Sequence, residues 1–229
     1  MAEARRAARS SSIYVLAGCN GAGKSSIGGA ALRQSGAEFF NPDEAAQRIA
    51  AVNATRNPPL TKAQINAAAW SEGRRLLRRA IDERANFAFE TTLGGKTMTA
   101  LLEQAAQAGL GVHVWFVGLT DVELHIDRVQ RRVAKGGHDI PVEKIRQRFQ
   151  NGRLNLIRLL TQLTELHLYD NSVEADPDTG ATPLPRLLLY CRDRRVVWPT
   201  NLKTLLGATP AWAKSITAAC IKLHLAQQR

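Results

Sequence analysis

Gly18-Cys-Asn-Gly-Ala-Gly-Lys-Ser25 is entered from the apolar run Ile13-Tyr-Val-Leu-Ala17 and continues into Ser26-Ile-Gly-Gly-Ala-Ala-Leu32. This stretch decides how the chain folds. Its spacing is that of a phosphate-binding loop: glycine, four residues, then glycine, lysine and serine. A strand-forming run precedes it and a helix-forming run follows. Glycines at 18, 21 and 23 let the backbone turn tightly and bring its N–H groups against an anion. The positive end of the following helix adds to that attraction. Lys24 can reach terminal phosphates, and the Ser25 hydroxyl can ligate Mg²⁺. The expected nucleotide contacts are therefore Gly18, Cys19, Asn20, Gly21, Ala22, Gly23, Lys24, Ser25 and Ser26. A competing reading takes Leu16-Ala-Gly-Cys19 as a lipidation box. The apolar run before it is too short for the ~7–15 residue core of a secretory signal.

Working outward, strand and helix signals alternate. Strands are expected at Ile13–Ala17, Ala37–Asn41, Phe87–Glu90, Gly111–Leu119 and Leu166–Asn171. Helices are expected at Lys24–Gln34, Pro42–Ala51, Thr61 to about Glu83, Lys96–Ala108, Asp121–Ala134 and Val142–Leu163. Arg186–Tyr190 and Arg195–Trp198 read as a hairpin, and Pro210–Leu225 as a helix. Such alternation predicts a P-loop NTPase of the kinase-like type, a three-layer α/β/α fold with a mainly parallel central sheet. Residues 1–11 read as a disordered N-terminus and 12–199 as the kinase domain, with an arginine-rich helical lid at about 128–150. Residues 200–229 read as a C-terminal helical extension.

The 229 residues are 45% hydrophobic and 22% charged, as in ordinary soluble domains. No apolar stretch reaches membrane-spanning length, so no membrane partner is expected. The three cysteines are too scattered for a disulfide framework or zinc cluster, which makes a cytoplasmic location the simplest expectation. The net charge of +11 leaves nucleic acid open as a partner. Many of the arginines cluster at 128–153, however, where phosphate chemistry explains them equally well.

In an α/β sheet, ligands bind beyond the carboxyl ends of the strands. Polar residues fall there repeatedly: Asn41-Pro-Asp-Glu44, Glu90-Thr91-Thr92 and Asp170-Asn171-Ser172. Each alone could be helix capping or turn chemistry. Their recurrence along one rim points to a site. No strong acidic strand of the motor ATPase type occurs, Phe87-Ala-Phe-Glu90 being the nearest approach, which disfavours that class; no Asn-Lys-x-Asp of a G protein occurs either. What remains is a small-molecule kinase whose lid carries Arg128, Arg131, Arg132, Arg146 and Arg148 around Gly136-Gly137. The bland alternative is an arginine-coated pair of exposed helices. His138 suits a loop cap better than a phosphate contact.

The P-loop, Asn41-Pro-Asp-Glu44, Phe89-Glu-Thr-Thr-Leu93, Arg128-Val-Gln-Arg-Arg-Val-Ala-Lys-Gly-Gly-His-Asp-Ile-Pro141 and Ile145-Arg-Gln-Arg-Phe149 occur in this order. Together they resemble the zeta toxin family of P-loop kinases, and more closely its compact bacterial branch. The resemblance implies an ATP- and Mg²⁺-dependent phosphotransferase acting on the 3′-hydroxyl of UDP-N-acetylglucosamine, as the toxin of a toxin–antitoxin pair with an antitoxin protein as partner. It implies Lys24 on the phosphates, Ser25 on the metal and Asp43 as the base. Asn41, Glu90, Thr91 and Thr92 would contact the acceptor. Arg132 and Arg146 would be the phosphate-facing lid residues, with Arg128, Arg131 and Arg148 as alternatives in register. The Asn-Pro-Asp-Glu and Gly-Gly-His-Asp-Ile-Pro segments depart from the better-known toxins. Another acceptor (nucleoside, dinucleotide or polynucleotide end) and a non-catalytic ATP-binding interaction protein therefore stand beside the leading reading.

Overall fold

The computed structural model describes residues 11–24, 27, 38–137, 139–174, 176, 179 and 181–228. Most of the expected first helix (Lys24–Gln34), including Ser25 and Ser26, nearly all of the expected disordered N-terminus, and His138 lie outside the described residues.

The described elements follow the alternation read from the sequence. Strands β1 (Ser12–Ala17), β2 (Glu38–Phe40), β3 (Phe87–Thr91), β4 (Gly111–Gly118), β5 (Glu165–Asp170), β6 (Arg186–Arg192) and β7 (Arg195–Trp198) form one sheet in the order β2-β3-β1-β4-β5-β6-β7. The first five pair in parallel, and β6 and β7 add antiparallel to the β5 edge. The β6–β7 turn is made by Asp193 and Arg194, both at positive φ (47° and 63°), the backbone twist of a two-residue hairpin.

Helices α1 (Pro42–Val52), α2 (Lys62–Asp82), α3 (Lys96–Gln107), α4 (Val122–Ala134) and α5 (Val142–Leu159) connect the parallel strands. Local chemistry sets their starts. Asn41 caps α1, its side-chain oxygen accepting from the backbone N–H groups of Asp43 (2.8 Å) and Glu44 (3.4 Å), with Pro42 opening the helix. Thr61 and Gln64 form a reciprocal capping box on α2. Asp121 caps α4 through the Leu124 N–H. Helix α5 stops at Leu159, short of the expected Leu163, because residues 160–162 leave the helix as a turn into β5.

Alternation along β1 sends Ile13, Val15 and Ala17 to one sheet face and Tyr14 and Leu16 to the other. The first set joins the main core, with Phe87, Phe89, Val112, Val114, Leu77, Leu102, Leu156 and Leu159. The second face carries Leu16, Ala88 and Val117, flanked by half-buried Tyr14, Phe39, Trp115 and Tyr169. After β7 come α6 (Leu202–Ala208), a short turn at Ala211–Ala213 and α7 (Lys214–Ala226). The sequence anticipated α7 but not α6, a seven-residue helix capped by Asn201 that buries only Leu205. Trp212, Ala213, Ile216 and Cys220 of this segment are buried in the main core.

Candidate active site

Strand order puts the ends of β3, β1 and β4 side by side, the point where connections diverge to opposite edges. The loop after β1 begins at Gly18, whose N–H donates to the Thr91 carbonyl at 3.2 Å. Gly18 sits at φ +143°, and a Cβ there would collide with the Val117 carbonyl oxygen of β4. Gly21, at φ +79°, would set a Cβ 2.7 Å from the His125 carbonyl oxygen. The loop is thus pressed between β4 and α4, and only glycine fits at these two places. On its far side, Asn171 donates from Nδ2 to the Ala22 carbonyl at 2.9 Å.

Lys24 is only 7% exposed. Its ammonium donates to the carbonyls of Gly18 (2.9 Å) and Cys19 (3.2 Å) and pairs with Glu90 Oε1 at 3.4 Å. Glu90 owes that position to register, since Leu16 pairs with Glu90 and Ala17 with Thr91. Its second oxygen accepts from Asn41 Nδ2 at 3.4 Å. One carboxylate therefore links the loop lysine to the cap of α1.

A cavity of about 480 Å³ opens along this rim, lined by Lys24, Asn41, Asp43, Glu90, Thr91 and Thr92, with Trp70, Lys144 and Arg148 on its walls. Asp43, in the first turn of α1, is half exposed and lies 3.8 Å from Arg132. Trp70 of α2 is 44% exposed, and Arg74 stacks over its ring at 5.0 Å. A second cavity, about 570 Å³, flanks the loop through Gly21, Gly23, Arg128, Arg131, Arg132 and Asn171. Thus the acceptor-side residues read from the sequence share one cavity, and Gly21 and Gly23 of the loop face another.

The arginines separate by position. Arg148 donates to Asn20 Oδ1 at 2.9 Å and lines the first cavity. Arg128 and Arg131 both grip Glu174, at 2.9 and 2.8 Å, and Arg128 also reaches the Val173 carbonyl. Arg146 forms a two-point pair with Glu123 at 2.6 and 3.1 Å. It is set apart from the residues lining these two cavities.

Two buried groups sit at the loop: Cys19, one of the expected nucleotide contacts, and His125, which the sequence did not mark as a site residue. The Cys19 thiol contacts the Ile145 carbonyl, and burial pushes it up to about 11, so it stays a protonated thiol. His125 is fully buried, and its Nδ1 lies 2.7 Å from the Asn20 carbonyl. Burial holds its pKa down to about 4, outweighing the Asn20 hydrogen bond. In the sequence, His125 lies on the apolar stripe of α4 with Ile126 and Val129 and reads as core.

A glycine-rich loop between β1 and a lysine, at the divergence point of a mainly parallel sheet with an arginine-bearing helix pair above it, defines a P-loop kinase fold. Comparison with known proteins gives the family. A model of the family described as "Zeta toxin" matches residues 2–178, and the chain belongs to the zeta toxin family. An uncharacterized protein of Haemophilus influenzae is 30% identical over 133 residues, spanning 58% of this chain and 88% of that protein. Among solved structures, AvrRxo1-ORF1:AvrRxo1-ORF2 with sulphate ions superposes with a TM-score of 0.61 at 16% identity, covering 96% of this chain and 78% of that one. The same pair with ATP gives 0.59 at 15% identity, with the same coverage. The PezAT chromosomal toxin–antitoxin system of Streptococcus pneumoniae gives 0.50 at 14%, covering 74% of each chain. At these identities the structural likeness is one of fold. Among the described residues, no helix is long and apolar enough to cross a membrane.

Proposed function

We propose that this protein is an ATP-dependent kinase that phosphorylates a hydroxyl of a small anionic acceptor, with the 3′-hydroxyl of UDP-N-acetylglucosamine as the leading candidate. The observation that carries the reading is one cavity lined by both Lys24 of the loop and Asp43 of α1. Donor and acceptor groups need such a shared space for in-line transfer. The donor phosphates fit the glycine cradle, since Gly18 and Gly21 leave room where a Cβ would block the loop's backbone from closing. An incoming phosphate exchanges with a carbonyl or with Glu90 on the Lys24 ammonium, whose three donors are already engaged. Ser25 would hold the Mg²⁺ that accompanies the nucleotide, and the ion would supply charge neutralisation on the phosphates.

In the proposed reaction Asp43 accepts the proton of the acceptor hydroxyl. The acceptor oxygen bonds to the γ-phosphorus as the bond to the bridging oxygen breaks and ADP leaves. Arg132, beside Asp43, balances the charge that spreads over the transferring group. Arg146 joins it on release from Glu123. Asn41, Glu90, Thr91 and Thr92 hold the acceptor, and Lys144 and Arg148 give the cavity a cationic wall suited to a diphosphate.

AvrRxo1-ORF1 and PezAT are described as members of two-component complexes or toxin–antitoxin systems. That, with family membership, supports the proposal that this chain is a toxin held in check by an antitoxin protein. The test is direct: incubate the protein with ATP and UDP-N-acetylglucosamine and locate any new phosphate by mass spectrometry and NMR. Phosphate appearing instead on a nucleoside, a dinucleotide or a polynucleotide end would reassign the acceptor. ATP binding without transfer to any of them would make this an interaction protein.

A further inference from the structure

Beneath the phosphate loop, on the side of α4 and α5, lies a small space of about 10 Å³ lined by Cys19, Phe116, His125, Phe149, Arg153 and Trp212. Two buried nitrogens of this lining, His125 Nε2 and Trp212 Nε1, have no protein partner among the described residues. Their chemistry is complementary. The Asn20 carbonyl can only accept, so the 2.7 Å contact requires that His125 Nδ1 carry the proton and donate. In the neutral ring Nε2 is then a bare acceptor, whereas the indole nitrogen of Trp212 can only donate. Buried polar groups left in this way call for a partner, and a space of roughly 10–15 Å³ suffices for one water.

We propose that one buried water accepts from Trp212 Nε1–H and donates to His125 Nε2, making His125 and Trp212 positioning residues that hold the Asn20 carbonyl and with it the phosphate loop. The surroundings are built to fix both rings. Trp212 lies flat against the Gly118 backbone and stacks on Phe116 at 6.3 Å. Its own carbonyl accepts from Arg153 at 3.3 Å. That guanidinium lies over Phe149 at 4.1 Å, and Phe149 meets His125 edge-on at 5.4 Å. Asn20 is thereby held from two sides, its carbonyl by His125 and its side chain by Arg148. Trp212 belongs to the segment after β7, so through this chain of contacts that segment supports the loop from below.

The effect on nucleotide affinity rests on the donor site proposed above; the water bridge itself does not. A crystal structure of the full chain should show an ordered water within hydrogen-bond distance of both nitrogens, and an empty space there would overturn the proposal. In ¹⁵N spectra, Trp212→Phe, which keeps a ring but removes the donor, should shift His125 Nε2 toward the value of a nitrogen that accepts no hydrogen bond. An unchanged Nε2 signal would also overturn it. His125→Asn retains a donor at the Nδ1 position, whereas His125→Phe loses it. ADP affinity and slow amide exchange at residues 18–23 should fall by a few-fold in Trp212→Phe and His125→Asn. In His125→Phe they should fall by about tenfold or more, the scale of a lost hydrogen bond. Equal losses in His125→Asn and His125→Phe, with exchange accelerated evenly over the whole chain, would mean bulk packing and no positioning role. Wild-type protein that shows the water and the Nε2 shift but fails to bind ADP would refute the donor site and leave the bridge standing.

Discussion

The Glu90 carboxylate of β3 lies 3.4 Å from the ammonium of Lys24, in the loop that follows the adjacent strand β1. It neutralises a lysine that is almost wholly withdrawn from water, and its other oxygen meets Asn41. Glu90→Gln leaves that cation without its counter-charge, and thermal unfolding should show a loss of about 1–3 kcal/mol. Lys24→Met alone should abolish ATP binding. Combined with Glu90→Gln, it should recover much of the stability lost by either single change, as a double-mutant cycle will show. Strict additivity would mean that the pair is not coupled.

Asp43→Asn should lower kcat by about 10²–10⁴, the usual contribution of a general base, with ATP affinity nearly unchanged. Calorimetric titration with a non-hydrolysable ATP analogue, beside steady-state kinetics, separates the two. Undiminished transfer would remove Asp43 from the mechanism.

Arg132 should be worth about 10²–10³ in kcat, as expected for a group that stabilises developing charge. Arg146→Ala should also lower kcat, whereas Glu123→Gln, which releases Arg146 from its two-point pair, should not. If Arg146→Ala is silent while Arg148→Ala loses transfer, the lid role passes to Arg148, which already stands over Asn20.

His125 should make stability depend on pH. Its folded pKa of about 4 lies below the ordinary 6.5, so between these values the unfolded chain binds more protons than the folded one. Its contribution is complete above pH 6.5 and is lost as pH falls toward 4, about 3 kcal/mol in all. Lys24, Arg128 and Asp121 are the charged groups acting on it. Denaturant titrations across that window should flatten in His125→Asn, and an unaltered slope would count against a buried neutral imidazole.

Local signals carried most of the fold. Glycine spacing, β-branched runs, Asn41-Pro42 and the Thr61–Gln64 box act over a few residues, and each element they announce is present where described. The rim positions of Asp43 and Glu90 were legible for the same reason: a strand's end, readable in the sequence, is where a parallel sheet binds ligands. What could not be read were partners set by packing across the chain. Five arginines in one stretch look interchangeable in the sequence. In the structure Arg132 meets Asp43, Arg148 meets Asn20 and Arg146 meets Glu123. Likewise, His125 is one more member of an apolar stripe until the fold sets it under Asn20.

The sequence by itself determined a phosphate-binding loop on a parallel α/β sheet, because backbone conformation and hydrophobic periodicity are local properties of residue type. Only the tertiary structure decided that Lys24 faces Glu90 and that Trp212, far along the chain, shares a buried space with His125. Strand register and helix packing create those meetings, and neither is recorded in any short stretch of sequence.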